Sequence, residues 1–357
     1  MGDESQLLSQ YSPHQESLHS RYFIYKLLKS SIYRALEKKL IKVTVYGSLP
    51  LRTFLQEGDI DITVITTPEE YLCCELILNK IKTQLLQEFE IRNIHEIQAE
   101  VPILKVQVFN INVDISINQI GGVRSLIFLE EISRLFPKHL LKKSILIIKA
   151  WGTYFSRILG SQVGLLGTYA LEVLIVFILN TVPTCRTNSL QVLKTLIEYF
   201  SEFDWENCVV TCVGVVSAQK WRDFNEEECG EKLQLSGEKV KKLRNELRCG
   251  RTEWTQKFIN IADPVLIGNN LGKRVSFQGF ERIRLSFKVA AELVKEFGVE
   301  RLFKKIEPQV GIEWKVVEDA RGEKNGVPIS YFANIRKLKE ALYSCLAVMD
   351  PSFPQNY

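Results

Sequence analysis

The spacing of apolar residues predicts a helix followed by a mixed block of strands and helix. Residues 18–40 keep roughly helical apolar spacing, at Tyr22, Leu27, Leu28, Ile32 and Leu36. The period then changes, because four segments rich in Val and Ile alternate in character, at 41–46, 59–66, 103–110 and 111–118. The pattern over 69–89, between these segments, is again helical. This order of elements predicts a compact α/β unit.

The pattern after residue 138 is helical, through 141–159 and 164–180, until Pro183 and the polar TCRTNS stretch end it. The apolar run over 165–179 is shorter than the roughly 20 residues of a bilayer helix and contains Glu172. We therefore expect a buried core helix there and no membrane association. The rest predicts mainly helix with loops, with a solvated loop over 223–239.

Composition changes this picture only slightly. The 357 residues are 46% hydrophobic and 25% charged, which is typical of a soluble globular protein with two or three domains. A net charge of +4 is too small to distinguish a nucleic-acid-binding protein from an enzyme with a near-neutral surface. Eight cysteines without a CxxC pair, and a start without a signal-peptide pattern, predict an intracellular protein, either nuclear or cytoplasmic.

A basic segment over 239–251 leaves two interpretations open. Its apolar residues are spaced as one helical face, with six Lys and Arg residues around them. Such a run is usually a solvated helix face, and contact with RNA is the alternative.

Three aspartates lie in strands that are otherwise apolar. Asp59 and Asp61 are separated by one residue, so they emerge on the same face of a strand, and Asp114 lies in "INVDISIN" in a second strand. A bare D-x-D is common in a solvated turn, but a third acid in an apolar strand favours a converging site. Three carboxylates form a hard oxygen site suited to two Mg²⁺ (or Mn²⁺) ions and to displacement on a nucleotide phosphate. We expect all three to be metal ligands and catalytic residues.

A Gly-Ser pair precedes the first two aspartates. At Gly47 and Ser48 the chain is predicted to turn from strand into a short helix that tolerates Pro50 in its first turn. Backbone amides at this turn attract phosphate oxygens, glycine lets the backbone come close, and the Ser48 hydroxyl adds one hydrogen bond. We therefore expect both residues to bind the triphosphate.

The chain resembles the DNA polymerase beta-like nucleotidyltransferases, and within them the noncanonical poly(A) polymerases and terminal uridylyltransferases. The plant-type branch with a poly(A) polymerase and oligoadenylate synthase substrate-binding domain is the most similar. Four stretches carry the resemblance: "YGSLPLRTFLQEGDIDIT", "VDISINQIGG", "LLKKSILIIKAWGTYFSRILGSQVGLLGTYALEVL" and "DPVLIGNNLGKRVS". It implies an α+β fold with a mixed-sheet catalytic domain over 37–140. A mainly helical substrate-binding domain is expected from 1–36 and 141–357.

The resemblance also implies nucleotide-binding roles for residues outside the triad. Lys149 would contact the triphosphate, although a lysine extending from an apolar helix face is the plainer interpretation. Thr168 and Tyr169 would hold the base, with a buried core tyrosine as the alternative. Asn269 and Asn270, followed by Gly272, fall at the nucleotide-recognition loop, although such a cluster also suits any tight turn.

The expected function is template-independent addition of AMP or UMP from an NTP to the 3′ end of RNA. An oligoadenylate or cyclic-dinucleotide synthase, and an RNA-binding or scaffolding subunit that retains the fold, are the alternatives. Uridine-preferring relatives often carry a late histidine, and none follows His139, which leaves ATP and UTP both open. Since no RNP-type strands or zinc knuckle accompany the core, we expect a protein partner to supply RNA specificity.

Overall fold

The computed structural model of the protein describes residues 2–36, 42–66, 74–91, 93–97, 102–221, 247 and 252–304. All of them belong to the unit Met1–Lys305, and the second unit, Ile306–Tyr357, lies outside the described residues. The predicted loop over 223–239 lies outside them too, as does the basic segment over 239–251 apart from Leu247.

A mixed sheet of five strands occupies the first half of the chain, in the order β1-β2-β5-β4-β3. Its strands are β1 (Lys42–Tyr46), β2 (Ile60–Ile65), β3 (Ile94–Ile97), β4 (Ile103–Val108) and β5 (Ile111–Ile117). Strands β2 and β5 are parallel, and the other neighbours are antiparallel. Four of the strands were predicted from alternation. The short edge strand β3, partly exposed and of mixed polarity, was not predicted.

Two helices cover the apolar face of this sheet. Helices α2 (Gln15–Ala35) and α4 (Cys74–Glu88) pack against each other, and both contact the strands. Their buried residues form one core with the inward positions of the strands, such as Ile60, Ile62 and Ile115. Because side chains alternate along a strand, the residues between these positions lie on the opposite face.

The second half is mainly helical around a separate core. It contains α5 (Ile120–Arg134), α6 (Leu140–Ala150), α7 (Thr168–Thr181), α8 (Ser189–Ser201) and, after the short α9 (Ala218–Trp221), α10 (Phe277–Phe297). A hairpin of β6 (Cys208–Thr211) and β7 (Gly214–Ser217) interrupts the helices, where we had expected only helix and loop. The apolar run lies in α7, whose residues 170–180 are all buried. Within the described ranges, no helix has the length and apolarity needed to span a bilayer.

The N-terminal helices α1 (Gly2–Tyr11) and α2 pack against different parts of the structure. The first packs on α6, whereas α2 packs on the sheet. The predicted short helix after Gly47 is present as α3 (Ser48–Leu51) and includes Pro50. The α+β class is confirmed, and the domain boundaries at 37 and 140 stay a prediction.

Candidate active site

The sheet brings two of the three aspartates side by side. Asp61 of β2 and Asp114 of β5 are register partners in the parallel pair. Asp59 lies two residues before Asp61, directly ahead of β2, and therefore on the same side of the chain. Ile60 and Ile62 point the other way and are fully buried. The apolar core thus fixes the face from which the carboxylates emerge.

The backbone of Gly47 lies against the Asp61 carboxylate. Its φ of 71° lies in the left-handed region, and a Cβ at this position would come within 2.4 Å of Asp61 Oδ2. Only glycine combines that backbone with so close an approach to the carboxylate. Ser48 begins α3 directly after it. The Gly-Ser pair therefore adjoins Asp61, and its contact with a triphosphate stays a prediction.

The carboxylates affect one another electrostatically. Burial raises the pKa of Asp61 to about 7, and the nearby charges of Asp114 and Asp59 contribute to the rise. Burial also raises the pKa of Asp59, while a hydrogen bond from Asn112 opposes the rise. Carboxylates that destabilise each other's charge in this way are a suitable environment for a cation.

Asp114 already has a cationic neighbour. Lys105 Nζ donates to both of its carboxylate oxygens, at 2.9 Å to Oδ1 and 2.8 Å to Oδ2. Within the part of the chain that the structure describes, no three His, Cys, Asp or Glu side chains form a group that could hold a metal ion. Carboxylate oxygens are the donor type that Mg²⁺ prefers. As oriented here, however, the three aspartate side chains do not form a metal-binding group, and both oxygens of Asp114 bind Lys105.

Lys149 of α6 faces the same aspartates. Its Nζ donates to the backbone oxygen of Thr53 at 3.2 Å. Burial lowers the pKa of this lysine, while the charges of Glu172, Asp61 and Asp59 oppose the shift. Burial likewise raises the pKa of Glu172 to about 7. The lysine therefore lies near the carboxylate site, and its contact with a triphosphate stays a prediction.

Tyr169 and the loop after Asp263 form a second cluster. Thr168 and Tyr169 open α7, and Tyr169 Oη lies 3.5 Å from Asp263 Oδ1. Asn269 Nδ2 donates to Asp263 Oδ2 at 2.9 Å. Asp263 thus joins the predicted base-binding tyrosine to the predicted recognition loop.

Asn270 has a structural place within this loop. Only 1% exposed, it accepts hydrogen bonds from the amides of Ile261 and Gly272. Its amide nitrogen donates to Asn260 Oδ1 and to the backbone oxygen of Thr255. Both ends of the side chain are used inside the protein, and a nucleotide contact through it stays a prediction.

Comparison with known proteins places this site in a family. Residues 2–133 match the family described as the central palm domain of mitochondrial-like poly(A) RNA polymerase. Residues 136–307 match the PAP/OAS1 substrate-binding domain. The chain is a noncanonical poly(A) polymerase or terminal uridylyltransferase family member.

Curated members of the family are identical to this chain at about a quarter of the aligned positions. Poly(A) RNA polymerase gld-4 of Caenorhabditis elegans is 26% identical over 176 residues, which are 46% of this chain and 19% of that protein. Poly(A) RNA polymerase CID14 of Cryptococcus neoformans is 28% identical over 205 residues, or 54% of this chain and 26% of that protein. The match thus covers well under half of these relatives.

Solved structures support the fold. The Cid1 poly(U) polymerase with MgGTP bound has a TM-score of 0.67 and 18% identity, covering 85% of this chain and 98% of that one. A cytoplasmic RNA terminal U-transferase has a TM-score of 0.65 and 16% identity, over 85% and 96%. At these identities the likeness shows the family fold alone.

Several residues that organise the candidate site were not predicted from the sequence. Arg21 of α2 is one of them. Its guanidinium donates to the backbone oxygens of Gln56 and Gly58, each at 2.9 Å, and lies over the Phe54 ring. These contacts hold the loop that leads into Asp59. A usable signal existed, since Arg21 falls within the spacing of the buried residues of α2 and is itself buried. Lys105, Glu172 and Asp263 were also missed, because each acts on a side chain of a different helix or strand.

Proposed function

We propose that this protein is a template-independent nucleotidyltransferase that adds AMP or UMP from an NTP to the 3′-hydroxyl of RNA. The observation that carries the proposal is the carboxylate face of β2 and β5, where Asp61 and Asp114 are register partners, with the charge of Lys149 acting on Asp61 and Asp59. Family membership gives this arrangement its reaction class, since the curated relatives are named as poly(A) RNA polymerases.

In this proposal each residue has a separate task. Asp59 and Asp61 would hold two Mg²⁺ ions, with Asp114 as a further ligand. Bound there, the ions would lower the pKa of the attacking hydroxyl and neutralise the charge that develops on the transferred phosphate. Lys149 contacts the triphosphate, and the glycine backbone at Gly47 lets the triphosphate come close to Asp61. Tyr169, positioned by Asp263, offers a ring on which the base stacks.

A labelled RNA incubated with Mg²⁺ and each NTP separately tests this function. We expect ladders above the RNA, and their loss in Asp61→Asn. Glu198→Gln is the matched control, because that side chain is 51% exposed on α8 and outside the site. Oligomers formed without RNA would indicate the synthase alternative. The lack of any product with every NTP would indicate the other alternative, an RNA-binding or scaffolding subunit that retains the fold.

We propose ATP as the preferred nucleotide. The bond from Asn269 Nδ2 to Asp263 fixes the amide orientation and leaves Asn269 Oδ1 as a buried acceptor without a hydrogen-bond partner. Adenine carries an exocyclic amino donor that suits such an oxygen, and uracil carries a carbonyl at the corresponding edge. A substrate reaches this oxygen only if the loop opens.

The base preference is measured by comparing kcat/KM for ATP and UTP on one RNA. Asn269→Ala should reduce the ATP/UTP ratio about fivefold, since a hydrogen bond contributes on the order of 1 kcal/mol. Val163→Ala is an exposed control at a 3₁₀ turn between α6 and α7. An unchanged ratio in Asn269→Ala, or a wild type that prefers UTP, contradicts this assignment.

RNA choice by a protein partner and an intracellular location, nuclear or cytoplasmic, also stay proposals. Titration of several RNAs into the purified protein at physiological salt checks the first, because tight, selective binding unaided would remove the need for a partner. Imaging of the tagged protein in its native cells checks the second.

A further inference from the structure

One polar row crosses all five strands of the sheet. Asp61 and Asp114 are register partners, Asp114 is also paired with Lys105 of β4, and Lys105 is paired with His95 of β3. At the other end, Tyr46 of β1 is paired with Asp61. The predicted metal ligands therefore have a lysine as their next neighbour on the same face.

The contact between Lys105 and Asp114 is closer than a general electrostatic attraction. The ammonium reaches both oxygens at under 3 Å, with 31% of the lysine side chain and 16% of the aspartate side chain exposed. An ammonium group bound across both oxygens lies in the region where a divalent cation has to approach. The other two aspartates have no such lysine contact among the hydrogen bonds of the described chain.

The influence of Lys105 extends beyond Asp114. Its positive charge also acts on Asp59 and Asp61, where it opposes the upward shift of both pKa values. One lysine thus neutralises part of the repulsion among three carboxylates, which is also what a bound cation does.

We propose that Lys105 is a positioning residue that competes with the divalent cation for Asp114, and so sets the cation concentration at which the site fills. The inference rests on the proposed function, because it takes Asp114 as a metal ligand. Filling the site requires at least one Asp114 oxygen to exchange the ammonium for the cation. Lys105 then becomes available to another anion, such as a phosphate of the RNA acceptor.

Direct Mn²⁺ binding tests this without relying on turnover. Isothermal titration of the full chain with Mn²⁺ should show about tenfold tighter binding in Lys105→Met, since a charged hydrogen bond contributes about that factor. Lys105→Arg keeps the charge and should stay within about threefold of wild type. Lys82→Met is the matched control, because Lys82 Nζ lies 3.0 Å from Glu96 Oε1 at similar exposure, 33% and 29%, and away from the aspartates.

A double-mutant cycle shows whether the effect acts through Asp114. In an Asp114→Asn background, Lys105→Met should change Mn²⁺ affinity by about twofold or less. One result overturns the inference and leaves the proposed function standing: wild type binds Mn²⁺, Asp61→Asn does not, and Lys105→Met binds no more tightly than wild type. If wild type and Asp61→Asn bind Mn²⁺ equally poorly, the metal site itself is wrong and both proposals fail.

Discussion

Neutralising Asp61 should stabilise the protein at alkaline pH while it abolishes activity. The pKa of Asp61 is raised from 3.8 to about 7 in the folded protein, so the folded state keeps a proton that the unfolded state releases. Stability from this group is therefore present below about pH 4 and is lost as the pH rises towards 7. At 1.36 kcal/mol for each unit, the loss is at most roughly 4 kcal/mol. Coupling with Asp59 and Asp114 leads us to expect about 2 to 4 kcal/mol.

Urea unfolding of wild type and Asp61→Asn between pH 4 and 8.5, with EDTA present, measures this difference. The asparagine variant should be more stable at pH 8, and the two curves should meet near pH 4. Glu172 also has a raised pKa, but it is present in both proteins and cancels in the comparison. Glu198→Gln should follow the wild-type curve. Parallel curves for wild type and Asp61→Asn across this pH range would refute the electrostatic account of the site.

Three further changes test other parts of the structure. Gly47→Ala should lower kcat at least a hundredfold in the tailing assay, because the added methyl group meets the Asp61 carboxylate at a φ of 71°; near-normal turnover would contradict this. Arg21→Met should cost about 2 to 4 kcal/mol in urea unfolding, since it leaves backbone oxygens of the Asp59 loop without donors. Arg21→Lys should restore only part of it. Asn270→Ala should lower stability by about 2 to 3 kcal/mol in urea unfolding, since its side chain is hydrogen-bonded at both ends inside the protein; unchanged stability would contradict this structural role.

Local pattern was enough to predict most of the sheet and the carboxylate face. Alternation in the Ile- and Val-rich segments predicts both the strands and the side on which Asp59 and Asp61 emerge, because the period of a strand is two. Alternation was too weak in β3, whose four residues lie at the exposed edge. The hairpin of β6 and β7 was missed for the related reason that a strand of four residues contains only two periods.

What the sequence by itself determined is therefore most of the longer elements and the residue types that suit phosphate chemistry. Which charges meet was decided only by the tertiary structure. Arg21 reaches the loop before Asp59, Glu172 acts on Lys149 from a different helix, and Asp263 joins Tyr169 to Asn269. Lys105 pairs with Asp114 because β4 and β5 align at that register. Each of these contacts depends on how the strands and helices pack, and a periodicity within one element carries no information about its partner in another.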